Sequence, residues 1–172
     1  MPRPLWLCCL AALLPACSTP MAYREVHPPR ALPARAEGEK ILLRVDTPTG
    51  ERLFTLRQLE ALRAVEYRTE HPQLNKTFAY QGVLLSDLAK EVGLQGRDLR
   101  LEAVNNYGST IARRDYEDYP VLLAYRADGE PISMQNKGPL TVVFPTHAYA
   151  RRFPELKYGA QWVWYVNKVR TP

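Results

Sequence analysis

The sequence predicts an α+β domain built from mixed β-sheets with short inserted helices. Three observations lead there. Short apolar or alternating segments outnumber segments of helical period, the helical segments are brief, and no long helix regularly joins one strand to the next. That last feature sets the chain apart from a doubly wound parallel sheet. The 172 residues are 46% hydrophobic and 24% charged, enough for one domain with a sizeable core. An aromatic share of 10% separates the chain from disordered sequences despite its 15 prolines.

The elements follow in order from near Lys40. Residues 41–45 read as a strand, Pro48-Thr49-Gly50 as a turn and residues 51–54 as the returning strand. Thr55 with Gln58 three residues on forms a capping-box pattern, and Leu56, Leu59 and Leu62 continue at helical spacing. Residues 65–69 alternate as a strand, and residues 71–76 form a polar loop. Residues 78–83 are extended, with Gly82 as a break. Ser86 and Asp87 head a helix through Leu88 and Val92, which Gly93 closes in the left-handed region. Residues 99–104 are a strand, Tyr107-Gly108 a turn, and residues 109–112 the return. Residues 121–125 and 140–144 read as buried strands. In residues 161–169, Trp162, Trp164, Val166 and Lys168 share one face of a final strand.

The start of the chain reads as an address. Arg3 precedes an apolar run over residues 5–14, too short to span a bilayer but suited to the apolar part of a secretory signal. Leu14-Pro15-Ala16-Cys17-Ser18 resembles a bacterial lipobox, in which the cysteine is lipidated and becomes the first mature residue. Residues 1–16 are therefore expected to be a lipoprotein signal peptide and Cys17 the lipidation site, which implies a periplasmic, membrane-anchored protein. An ordinary signal peptide cut after Ser18 or Ala22 is the alternative. Residues 17–39, with Pro20, Pro28, Pro29 and Pro33, read as a proline-rich linker, and residues 40–172 as the folded domain.

Charge and cysteine usage exclude several classes. The net charge is +5, and removing Arg3 with the signal leaves 22 − 18 = +4. The excess is not gathered into a block, so nucleic acid is not an expected partner. The three cysteines are Cys8, Cys9 and Cys17, and none follows. The domain thus lacks a disulfide framework, a cysteine zinc site and a cysteine nucleophile. His27, His71 and His147 have no metal-ligand spacing. His27 lies in the linker, His71 is expected to be solvated in its loop, and His147 follows a strand end. No nucleophile elbow or phosphate-binding glycine loop is present.

A series of phrases says more. Thr55-Leu56-x-x-Leu59 is followed by Tyr80-Gln81-Gly82-Val83-Leu84-Leu85-Ser86-Asp87-Leu88, then Ala103-Val104-Asn105-Asn106-Tyr107 and Pro120-Val121-Leu122-Leu123-Ala124-Tyr125. Asp128-Gly129-Glu130-Pro131-Ile132 and Lys137-Gly138-Pro139-Leu140 lead into Val142-Val143-Phe144-Pro145, and a tryptophan-bearing segment closes the domain. In this order the phrases resemble the sulfite-oxidase-type molybdopterin-binding domain, which implies an α+β fold of mixed sheets around a pterin-binding cleft. The resemblance also implies a molybdenum-ligating cysteine between the first helix and Tyr80. Here that stretch contains Tyr67-Arg68-Thr69-Glu70-His71 and no cysteine. Basic residues that the family places after Gly-Pro-Leu and near the last strand are replaced by Thr141 and Gln161. The chain is therefore expected to be a divergent member without molybdenum catalysis, binding a small anionic ligand or an envelope protein. No cofactor is expected, and molybdopterin enters through the resemblance alone. The alternative is an active molybdopterin-dependent oxidoreductase with an unusual metal ligand. Asn105, Tyr107, Lys137, Gly138 and His147 are the candidate ligand-binding residues.

Overall fold

The computed structural model describes residues 22–172. The predicted signal peptide and Cys17 lie outside the described residues. Eleven strands in two sheets and five short helices make up the fold of those residues. Strand β1 is Arg24–His27, β2 Ile41–Thr47 and β3 Gly50–Thr55. Helix α1 spans Leu56–Leu59, β4 Ala64–His71, β5 Lys76–Leu84 and α2 Leu85–Glu91. Then come β6 (Leu99–Ala103), β7 (Gly108–Ile111), α3 (Arg113–Glu117) and β8 (Leu122–Ala127). The two-residue β9 (Glu130–Pro131), β10 (Thr141–Val143), α4 (Thr146–Tyr149) and α5 (Glu155–Tyr158) follow. A 3-10 turn at Gly159–Gln161 precedes the last strand, β11 (Val166–Arg170).

One sheet runs β1-β4-β5-β8-β10 with β9 added to β8, and the other runs β3-β2-β11-β6-β7. Every pairing is antiparallel except β11 with β2. The expected α+β class of mixed sheets with short helices is what the chain adopts. A single hydrophobic cluster draws on both sheets, from Leu43, Val45 and Leu101 in one to Val65, Val83 and Leu123 in the other. Period-two burial in β4 and β6 shows why: each strand turns alternate side chains into that cluster.

The structure corrects four local readings. The segment read as linker carries β1, which pairs with β4 through Arg24 opposite Glu66 and His27 opposite Ala64, so the sheet begins before Lys40. Its alternation is too short to register in sequence, and the neighbouring β4 edge specifies it instead. Gly82 does not break β5. A Cβ there would fall on the Leu123 carbonyl oxygen, so the glycine permits a close approach of β5 to β8. Ser86 and Asp87 do not cap α2. The helix begins at Leu85 directly from an extended Leu84, and Asp87 Oδ2 accepts from Arg63 Nε at 2.8 Å. Residues 161–169 are not one strand, because Tyr165 takes φ 53° and pairing starts only at Val166. The capping box at Thr55 and the left-handed Gly93 (φ 73°) stand as read.

Candidate functional site

The β4–β5 turn, the β6–β7 turn and the segment from Gly159 to Tyr165 enclose a cavity of about 320 Å³. Its walls include Gln73, Asn105, Tyr107, Trp162, Trp164 and Tyr165. Local chemistry fixes each turn. Asn105 Oδ1 accepts from the Tyr107 amide at 3.2 Å, and Asn106 takes φ 65°, a region that asparagine tolerates. The Tyr107 hydroxyl donates to the Ala160 carbonyl at 2.5 Å, and Gln73 Nε2 donates to the Gly159 carbonyl at 2.8 Å. These two bonds tie both hairpin turns to the same 3-10 turn. The resulting walls are flat and aromatic with few polar atoms, a lining suited to a planar ligand.

His71 stands against these walls. It is fully buried, with its ring centroid 5.1 Å from that of Trp162, 6.1 Å from that of Trp164 and 6.5 Å from that of Tyr80. Neither ring nitrogen has a hydrogen-bond partner among the described residues. Burial, reinforced by the nearby Lys137 charge, pulls its pKa down to about 4, so the ring is neutral at physiological pH. Lys137 Nζ lies 4.1 Å from the centroid of the Trp164 ring, a cation–π contact. Trp164 Nε1 and Gln161 Oε1 are likewise buried without a partner. Unsatisfied buried groups are uncommon in folded proteins. Here the Trp164 indole and the imidazole packed against it both carry them.

The structure brings only part of the sequence-derived set together. Asn105 and Tyr107 line the cavity. Lys137 meets it through Trp164. The Gly138 amide is already committed to the Ser133 carbonyl at 2.9 Å, and that of Lys137 to the Met134 carbonyl at 3.2 Å. This backbone therefore offers no free donor to an anion, and Gly138 is explained by its close packing on Ile132. His147 belongs elsewhere: its ring stacks on Tyr67 at 5.2 Å and its Nε2 bonds the Ala22 carbonyl at 3.2 Å. Burial lowers its pKa. Sequence reasoning missed His71, Gln73 and Tyr165. Trp162 and Trp164 had a usable signal, their i, i+2 placement on one face.

The profile of the oxidoreductase molybdopterin binding domain matches residues 32–169. This chain belongs to that family. Among solved structures, the crystal structure of the sulfane dehydrogenase SoxCD from Paracoccus pantotrophus superposes with a TM-score of 0.58 at 19% identity, covering 80% of this chain and 39% of that one. That likeness establishes the sulfite-oxidase-type fold, and this chain spans about two-fifths of that neighbour's length. No curated protein sequence gives a significant match.

The residues present do not fit the family's molybdenum. The stretch expected to carry the thiolate is the end of β4. There Thr69 shares a 2.7 Å hydrogen bond with Thr146, and His71 is walled in by aromatic rings. A lone imidazole does not replace a soft thiolate as a molybdenum anchor. The cofactor's phosphate fares no better at Thr141, whose buried hydroxyl donates to the Val163 carbonyl at 3.3 Å.

Proposed function

We propose that this family member is an exported, lipid-anchored binding module that takes a small, flat, anionic ligand without molybdenum redox catalysis. One observation carries the reading: the cleft keeps four aromatic side chains, Tyr107, Trp162, Trp164 and Tyr165, while its surroundings supply no thiolate. Aromatic faces give area and orientation, and Lys137 across Trp164 gives a bias towards negative charge. Export and anchoring rest on the leader and on Cys17.

The test has two arms. Protein purified from its native host is analysed for molybdenum and pterin, and titrated with pterin-6-carboxylate while tryptophan fluorescence is followed. The expected result is no stoichiometric molybdenum and saturable quenching, weakened about tenfold by Lys137→Met and abolished by Trp164→Leu. Stoichiometric molybdenum would instead establish the oxidoreductase reading. Quenching indifferent to both substitutions would remove the cleft as the site.

A further inference from the structure

Tyr165 lines a second cavity besides the aromatic cleft, of about 250 Å³. Neighbouring strands of the second sheet supply much of its wall. Leu43 and Val45 of β2 are buried in the core cluster, and Leu42 and Arg44 alternate onto the other face of the strand. There they line the cavity, with Asn167 from the adjacent β11 and Val104 from the end of β6. Lys40 and Ile41, at the start of β2, and Met134, after β9, complete it. Sites for drug-sized ligands span about 300–1,000 Å³, so this one suits a smaller molecule.

The lining is mostly carbon, and its apolar side chains are left open to solvent. Val104 is 61% exposed and Met134 58%. Exposed apolar groups gathered at one cavity mark a binding groove. Two hydrogen bonds hold this wall together. The Tyr165 hydroxyl donates to the Met134 carbonyl at 3.1 Å, and the Tyr165 carbonyl accepts from the Val104 amide at 3.2 Å. Tyr165 itself takes φ 53°, an uncommon region for a bulky side chain. Such positions persist where the surrounding structure fixes them, and they cluster at ligand sites.

Charge then selects the ligand. Lys40 and Arg44 line the cavity and no carboxylate does. The acids around it are committed to other partners: Glu51 to Arg44 at 3.2 Å, Glu39 to Arg57 at 3.0 Å and Asp46 to Lys168 at 2.8 Å. Glu102, on the neighbouring strand, is held by Arg100 and Arg170. Glu37 and Glu130 form no ion pair among the described residues, but neither is part of the lining. Lys40 likewise forms no ion pair among those residues and is free to meet an anion.

We propose that this cavity is a second binding site, for a short-chain alkyl carboxylate. The chain lies along Ile41, Leu42, Val104 and Met134, and the carboxylate meets Lys40 and Arg44. An apolar wall with cations at its rim and no acid in its lining favours that amphiphile over a neutral or cationic one. The site is independent of the ligand proposed for the aromatic cleft.

The test is isothermal titration calorimetry of the full mature chain with sodium octanoate, below its micelle-forming range. Saturable binding at one site per chain is expected. Acetate, which lacks the chain, should bind at least about a hundredfold more weakly, and octylammonium, which reverses the charge, should not bind detectably. Lys40→Glu, and independently Val104→Asp, should each weaken octanoate about tenfold, with far-ultraviolet circular dichroism confirming the fold. Both side chains are exposed, so neither substitution disturbs the core. Tyr107→Ala, in the wall of the cleft alone, should leave octanoate affinity within about twofold. No binding of octanoate, or equal binding of octylammonium, overturns the proposal. So does a loss on Tyr107→Ala with indifference to Lys40→Glu and Val104→Asp, which would move the ligand to the cleft.

Discussion

His71 shows how much one side chain's surroundings decide. In water an imidazole titrates near 6.5, but here burial first, and then the Lys137 charge, holds the folded-state value at about 4. The unfolded chain therefore binds a proton that the native chain refuses. The sign follows by linkage: the depressed value leaves stability intact above pH 6.5 and removes it as pH falls from 6.5 towards 4. The gap corresponds to at most about 3 kcal/mol, less whatever solvent reaching the ring screens. His71→Phe should flatten this limb of the stability–pH curve, measured by urea unfolding between pH 4 and 7, while changing stability at pH 7 far less. An unchanged acid limb would locate the titrating group elsewhere. Nothing in residues 71–76 foretold this burial, since a His-Pro start to a polar turn is the usual signature of a solvated loop. What buries the ring is Trp162 and Trp164, about ninety positions downstream.

At the level of elements, the helix-end readings that succeeded are those whose physics is contained within four residues. Thr55 and Gln58 satisfy each other's backbone amides, at 3.3 Å and 3.1 Å, whatever the rest of the fold does. Ser86-Asp87 carried the same kind of local signal and failed. The strand Leu84 leads straight into α2, and the Val121 carbonyl accepts the Leu85 amide at 2.9 Å from another part of the chain. The two sites make a paired prediction. Thr55→Ala should cost about 1 kcal/mol or somewhat more, because a buried cap is lost, whereas Ser86→Ala should stay within about 0.5 kcal/mol. Chemical denaturation of both variants checks the pair, and a comparable loss in each would contradict the assignment of α2's start. Gly82 tests sheet contact in the same way. Its added Cβ meets only the backbone of Leu123 and Ala124, so Gly82→Ala must push β5 from β8 and should destabilise by more than about 2 kcal/mol. A near-neutral Gly82→Ala would mean that the two strands yield at this point.

At the scale of the molecule, the features invisible in the sequence are those made by joining distant segments. The ordered phrases between Thr55 and Phe144 implied the sheets. The cleft, by contrast, is assembled from two hairpin turns and the Gly159–Tyr165 segment, and the first sheet needs an edge strand that lies before the family's matched span of 32–169. That edge gives the last prediction. Removing everything before residue 32, the boundary that family membership alone suggests, deletes β1 and bares β4. It also removes the Arg24–Glu66 pair at 2.9 Å, the Glu25–Arg63 contact and the Ala22 carbonyl that holds His147. The ion pairs are partly exposed and contribute little alone. The larger loss is the strand pairing, and a bared β4 edge is a template for other chains. A chain starting at Ala22 should therefore melt like one starting at Cys17. A chain starting at residue 32 should melt at least about 5 °C lower, equivalent to roughly 1–2 kcal/mol for a domain of this size, and should aggregate on heating. Calorimetry and light scattering on the two truncations decide it. Matching melting points would return residues 24–27 to the role of a tether.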